Sequence, residues 1–250
     1  MNACTCHDDL GIKPTAVSAA VLETLKGISI PTISMTLRRL GYSGLFLSGV
    51  VPRTSMQNFA GRAFTGRTLP TRTDVGKTQA GGGSLHRQAF ETIDAGDVLV
   101  IDARGDVVAR VTGDILASRL KYRGAAALGT DGAIGDLAAL QTVCLPIYSR
   151  GLTPVTFGEL HVMADLNVPV ACAGVLIMPG DVLVGDPEGV IAIPQAVAAQ
   201  VAEEGAETER RDAFSRAKVE AGHPLAEAYP LSGALRAEYE ATKARGRARG

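Results

Sequence analysis

Ala95–Leu140 reads AGDVLVIDARGDVVARVTGDILASRLKYRGAAALGTDGAIGDLAAL, and the order of its short apolar runs and glycine turns decides the fold. Val98, Leu99, Val100 and Ile101 form an apolar run between Gly96-Asp97 and the turn residues Ala103 to Asp106, which predicts a strand over 96–102. Val107 to Val111 is expected to return as its hairpin partner. At Thr112-Gly113-Asp114 the period changes, because Ile115, Leu116, Arg119, Leu120 and Arg123 recur at helical spacing. Gly124 to Leu128 then reads as a buried strand. Gly129 to Asp136 reads as a glycine-rich loop that ends in a carboxylate at the start of another helix.

Two pieces of this stretch carry chemistry. The first amides of a helix starting at Gly113 to Leu116 have no intrahelical acceptor, and the aligned peptide dipoles favour negative charge there, so a carboxylate or phosphate fits on them. Asp114 has a competing reading as a cap of its own helix. One helix out and one strand back separate Asp114 from Asp136 by 22 residues, which returns the chain to its starting point and aims both carboxylates at one cleft. Two carboxylates and a few waters suffice for one Mg²⁺. Asp136, too, has a plainer reading as a helix N-cap.

The order GDVLVID (96–102), TGDILA (112–117), the GxDGxxxD loop (129–136), LPIYSRGLTP (145–154) and VPVACAGVLIMPGDVLVGDPEGVIAIP (168–194) resembles the RraA-like family over roughly Ile30 to Ala213. That family contains class II pyruvate aldolases acting on 4-hydroxy-4-methyl-2-oxoglutarate and 4-carboxy-4-hydroxy-2-oxoadipate, and the regulator that inhibits ribonuclease E. The resemblance implies a layered β/β/α swivelling-type α/β fold with a β-rich core. It implies that the amides of Gly113, Asp114, Ile115 and Leu116 bind a pyruvyl carboxylate, that Asp136 is the direct ligand of Mg²⁺ or Mn²⁺, and that Asp114 lies near the metal's water shell. It also implies a homotrimer or a hexamer of stacked trimers, in which an acidic residue of the later helix, Glu207 or Glu209, approaches a neighbour's site. One departure bears on activity. Where the aldolase motif has Arg immediately before the metal-binding Asp, this chain has Gly135. Loss of such a charge-stabilising donor costs on the order of 2.7–4 kcal/mol of barrier in a comparable case. Gly135 is read as opening space, with Arg119, Arg123, Arg150 or a neighbouring subunit as the substitute cation, and Gly135→Arg is expected to raise aldolase or decarboxylase activity.

The remaining sequence sets bounds. At 250 residues, 46% apolar, 4% aromatic and without Trp, the chain suits one Ala/Val/Leu-rich α/β core. It divides into an N-terminal helical extension (1–29), the RraA-like domain (30–213) and a helical or disordered tail (214–250). A formal net charge of −1 gives no global field for nucleic acid or an anionic membrane, and no apolar run is long enough to span one, so a cytoplasmic protein is expected. Helices are expected over Pro14–Lys26 and Pro31–Leu40, at Leu85–Ile93, and from Pro194 to about Glu220. Arg62, Arg67 and Arg72 come close together in the strand region. Cys144 and Cys172 are expected inside apolar strands; Cys4 and Cys6 beside His7 make a poor zinc set without a fourth ligand. Thr73–Ser84, rich in glycine, reads as a loop, with a mobile substrate loop as its second reading, and His86 just after it is either structural or a proton-transfer candidate. Gly96–Asp102 and Gly180–Asp186 resemble each other at an offset of 84 residues, as two related hairpins would. From Arg236 on, five basic and two acidic residues suggest a disordered end.

Three functions follow. The first is a Mg²⁺-dependent carbon–carbon lyase that takes a small 2-oxo or hydroxy acid through a metal-stabilised enolate, by aldol cleavage or decarboxylation. The second keeps the pocket and metal but changes the reaction, to a hydratase, isomerase or hydrolase. The third is a non-catalytic, protein-binding regulator.

Overall fold

The Val98–Ile101 run does form a strand, but its partners are not neighbours in sequence. The computed structural model describes residues 16–54, 57–72, 74 and 84–247, with side chains through 245. Cys4, Cys6, His7 and most of the loop 73–84 lie outside the described residues. Helices α1 (Ala19–Lys26) and α2 (Ile30–Arg39) precede β1 (Val51–Pro52), the long β2 (Phe59–Pro70), α3 (Leu85–Thr92) and β3 (Val98–Asp102). Then come α4 (Asp114–Arg123), β4 (Ala127–Thr130), β5 (Ala133–Ile134), α5 (Leu137–Val143), β6 (Ile147–Ser149), β7 (Gly151–Leu152) and α6 (Phe157–Leu160). The chain continues through β8 (His161–Leu166), β9 (Val170–Cys172), β10 (Val175–Ile177), β11 (Val182–Asp186) and β12 (Gly189–Ile193). A 3₁₀ turn at Gln195–Val197 leads into α7 (Ala198–Glu220), α8 (Leu225–Ala228) and α9 (Gly233–Arg247).

The main sheet runs β1-β6-β4-β3-β2-β11-β12, with β8 also on β2. Strand β3 lies between β2 and β4, parallel to both, with Val98 opposite Ala63 and Ala127. All five of its residues are buried, the condition of a strand covered on both faces. The expected hairpin with Val107–Val111 does not form. The Asp131 carboxylate accepts from the amides of Ala103 at 2.8 Å and Gly105 at 2.9 Å, and Arg104 turns in the left-handed region at φ 59°. These contacts lead the chain away from β3, and Arg110 instead bridges Ala133. Of the two similar GDVLV segments, only the second opens a hairpin, β11–β12.

Alternation along β3 builds the layers. Val98 and Val100 join Leu47, Phe59, Tyr148 and Leu183 inside the sheet, while Leu99 and Ile101 join Phe90, Leu120 and Leu140 under α3–α5. The two ends of the sheet are joined by the segment before β1, through Leu47 N to Val190 O and Ala192 N to Leu45 O, both at 2.9 Å, so the sheet nearly closes into a barrel. On its other side α1, α2 and α7 bring Leu25, Ile33 and Val201 against Val182 and Ile191. The result is the expected mixed α/β single domain. Truncation of a fully buried leucine such as Leu99 to alanine costs about 2–5 kcal/mol.

Helix α7 runs unbroken through residue 213, and Leu25 shares a core with Val201, so neither 29 nor 213 separates one core from another. The tail read as helical or disordered is helical at Leu225–Ala228 and Gly233–Arg247: Tyr239 Oη donates to Glu207 at 3.1 Å and Lys218 pairs with Glu238 at 2.7 Å, which docks α9 on α7. Cys172 is buried as expected, whereas Cys144 is exposed at the end of α5 rather than inside a strand. Arg62, Arg67 and Arg72 pair with Asp97, Asp165 and Asp74 as exposed ion pairs. Among the described residues no helix is long and apolar enough to cross a membrane.

Candidate functional site

A parallel β3–α4–β4 unit brings the start of its helix and the loop after its second strand to the same edge of the sheet, beyond the strand C-termini. Here the two segments are also bonded side by side, Val111 N to Ala133 O at 2.8 Å and Gly135 N to Thr112 O at 3.0 Å. They form one wall of a cavity of about 810 Å³ that is also bounded by His86, Arg110, Gly113–Leu116, Arg119, Asp136 and Phe157. The structure thus brings Gly113, Asp114, Ile115, Leu116 and Asp136 together on one cavity, while Gly135 lies directly behind Arg110.

Gly113 is the N-cap of α4, and the first intrahelical donor is Ala117 N, to Gly113 O at 3.0 Å. The amides of Asp114, Ile115 and Leu116 precede it and are left for other acceptors. The backbone of Gly113 is extended, at φ −136°, so its angles suit any residue. Contact favours glycine here: a Cβ would overlap Asp136 Oδ2 and lie 3.5 Å from Asp136 Cγ, so any side chain at 113 displaces that carboxylate.

Asp136 occupies the N-cap position of α5 in the left-handed region, φ 57° and ψ 37°, and makes no capping hydrogen bond. Both its oxygens instead accept from Arg110 Nη1, at 2.9 and 2.8 Å. A non-glycine residue in this conformation without a capping bond is held there by its surroundings, which is the pattern of a functional position. The capping reading of Asp114 falls as well, because Gly113 is the cap and Asp114 is the first helical residue. Its half-buried side chain lines the cavity and has no hydrogen-bond partner among the described residues.

The arginine that faces Asp136 is Arg110, and it is not one of the three arginines proposed. Arg119 Nε donates to Glu91 at 2.8 Å and its guanidinium lies 5.1 Å above the Tyr122 ring; Arg123 reaches Ile93 O at 2.9 Å and Arg150 reaches Ser48 O at 2.9 Å. Arg110, which the sequence reading passed over, faces Asp136. A Cβ at position 135 would stand 2.5 Å from Arg110 Nη1 and 3.2 Å from its Cζ, so Gly135 opens no empty space. A signal for Arg110 exists in the order Ala109-Arg110-Val111, a single charge between two small apolar residues, both of which are fully buried.

His86 fixes the cavity wall. Its Nε2 lies 2.8 Å from Val111 O, and the ring stacks on Phe157 at 3.8 Å. Burial pushes its pKa down to about 4, with the Val111 carbonyl opposing, so the imidazole is neutral near pH 7 and donates through Nε2. Of the two acidic candidates on α7, Glu209 accepts from Ser29 N at 3.1 Å and Ser29 Oγ at 2.7 Å, at the start of α2. Burial opposes ionisation of Glu207, but hydrogen bonds from Lys243, Arg210 and Tyr239 hold its carboxyl at about 2. Each carboxylate is therefore committed within its own chain.

Among the described residues no group of three or more His, Cys, Asp or Glu is placed to hold a metal, so a zinc-type site is not built here. A hard cation asks for less. One or two carboxylates with water and substrate oxygens are enough for Mg²⁺, and Arg110 takes one side only of a carboxylate that has about four acceptor positions. Asp136, with Asp114 on the same cavity, fits Mg²⁺ or Mn²⁺.

Comparison with known proteins agrees with this architecture. An RraA-like family profile, described as Aldolase/RraA, matches residues 20–192. A provisionally named 4-hydroxy-4-methyl-2-oxoglutarate aldolase of Halalkalibacterium halodurans is 42% identical over 100 residues, 40% of this chain and 47% of that protein, so the match spans about half of the relative's length. The structure of RraAS2 from Streptomyces coelicolor, titled an unusual member of the RNase ES inhibitor RraA protein family, is 29% identical, with a TM-score of 0.75 over 81% of this chain and all of that one. An uncharacterized protein from Pseudomonas syringae shares the fold, at a TM-score of 0.80, 23% identity and coverage of 88% and 98% of the two chains.

Proposed function

The chain belongs to the RraA-like family, and from that premise we propose that it is a Mg²⁺- or Mn²⁺-dependent carbon–carbon lyase acting on a small 2-oxo acid or its aldol. The observation that carries the reading is Asp136, kept in a left-handed conformation with no capping bond and with its carboxylate over Gly113 at the cavity wall.

The α4 amides from Asp114 to Leu116 bind the substrate carboxylate and fix its orientation, aided by the positive end of the helix. Asp136 would hold the cation, with Asp114 near its water shell, and the bound cation would lower the cost of negative charge on the neighbouring keto oxygen. Asp114, without a side-chain partner among the described residues, takes the proton from the substrate's hydroxyl, directly or through one water. Neutral His86, stacked on Phe157, keeps that wall uncharged and holds the Val111 carbonyl away from the substrate.

The test is pyruvate release from 4-hydroxy-4-methyl-2-oxoglutarate and from oxaloacetate, with and without Mg²⁺, after subtraction of the metal-only rate. Metal-dependent turnover of at least one is expected. No release from either, with the metal shown to bind, overturns the lyase reading in favour of a changed reaction or of a protein-binding role.

A further inference from the structure

Gly135 and Arg110 are related by space as well as by charge. The volume in which a side chain at 135 would begin is occupied by the Arg110 guanidinium, with Nη1 2.5 Å from the Cβ position. The side chain of Arg110 is three-quarters buried, at 26% exposure, and only Nη1 is bonded, to both oxygens of Asp136. Nε and Nη2 have no hydrogen-bond partner among the described residues. The guanidinium carbon lies 3.9 Å from the Cβ position of Gly113, beside the first turn of α4. A cation and a row of open amides so close together match a ligand with two adjacent oxygen functions, a carboxylate and the keto oxygen next to it.

We infer that Arg110 is the catalytic cation of this site, delivered from the segment that precedes α4, and that Gly135 is the space which lets it enter. The inference rests on the lyase reading and adds a residue to it. When the bond between C3 and C4 of oxaloacetate breaks, its electron pair becomes the double bond of the enolate, carbon dioxide leaves, and charge gathers on the former keto oxygen. A proton from water then adds at C3 to give pyruvate. Arg110 stays charged throughout and offers its unbonded Nε and Nη2 to that oxygen while Asp136 holds Nη1 in place. An arginine at 135 and one at 110 exclude each other, because both would fill the same volume.

The experiment compares wild type, R110A, G135R and the double variant R110A/G135R in the full chain, by pyruvate release from oxaloacetate and by calorimetric binding of oxalate, both with Mg²⁺. R110A is expected to lose on the order of 10²–10³ in turnover, as when one charge-stabilising donor is removed. It is also expected to bind oxalate at least tenfold more weakly. G135R alone is expected to lose activity by forcing Arg110 off Asp136, and the double variant to recover to within about tenfold of wild type, since the charge returns from the other position. Circular dichroism and melting check each fold, and R110Q replaces R110A if the latter does not fold. Wild-type turnover and oxalate affinity in R110A overturn the role of Arg110 while the lyase reading stands. Oxalate binding that R110A abolishes, without pyruvate release by wild type, keeps Arg110 as the anion-binding cation of the cavity and overturns both its catalytic role and the lyase reading. Absence of both from wild type overturns both, and a G135R variant as active as wild type overturns the exclusion.

Discussion

Asp136→Gly separates what this residue does for the fold from what it does for the site. Its left-handed backbone costs a non-glycine residue roughly 1–2 kcal/mol, less for aspartate, and glycine removes that cost. Against this stand the loss of a part-exposed ion pair with Arg110, about 0.2–1 kcal/mol, and the extra entropy of a glycine in the unfolded chain, about 0.5–1 kcal/mol. No capping bond is lost, because none is made. The three effects nearly cancel, so stability is expected to change by less than about 1 kcal/mol, which is roughly 2–4 °C in Tm for a chain of this size. Turnover of oxaloacetate and binding of Mg²⁺-oxalate are expected to fall at least a hundredfold. Asp136→Asn, which keeps the shape and tolerates the left-handed conformation but removes the charge, is expected to lose activity to the same degree. Urea denaturation, calorimetry and the pyruvate assay read these quantities on the same preparations. A destabilisation above about 2 kcal/mol with oxalate binding retained would show that the carboxylate supports the fold and would refute the assignment.

Gly113→Ala places a methyl group in contact with Asp136 Oδ2, so turnover is expected to drop at least tenfold with a stability cost of about 1–3 kcal/mol; unchanged kinetics in the folded variant would contradict the tight approach of these two residues. His86 is held near a pKa of about 4 by burial, against an unfolded value near 6.5, so the unfolded chain takes up a proton that the folded chain refuses as pH falls between these values. Stability is therefore expected to fall by up to about 3 kcal/mol from pH 6.5 to 4, and His86→Gln to remove that part of the pH dependence; identical urea midpoint profiles for the two proteins would refute it. Ile115 and Tyr122, each 80% exposed and seven residues apart on α4, are expected to be covered by another copy of the chain in a trimer or a pair of stacked trimers, which light scattering tests and a monomer overturns.

The fold was legible wherever a pattern is local. The apolar run of β3 and the period change at Gly113 each mark an element from a few adjacent residues, and the return of Asp136 to Asp114 follows from the length of one helix and one strand. What failed were choices between partners. Val107–Val111 is mostly apolar and β-branched, as a strand would be, yet the Asp131 carboxylate gathers the amides of Ala103 and Gly105 and leads the chain away from the edge of β3. That competition is between residues 26–28 positions apart and has no local signature. The cation was missed for a related reason. Reading Gly135 as a loss assumes that a side chain can be replaced only at its own position, whereas the cleft is lined by two segments bonded side by side. A charge entering from residue 110 lands within 2.5 Å of where a side chain at 135 would begin. The missing side chain at 135 and the extra one at 110 are then one exchange in space, and its two halves are visible together only once the Val111–Ala133 pairing is known.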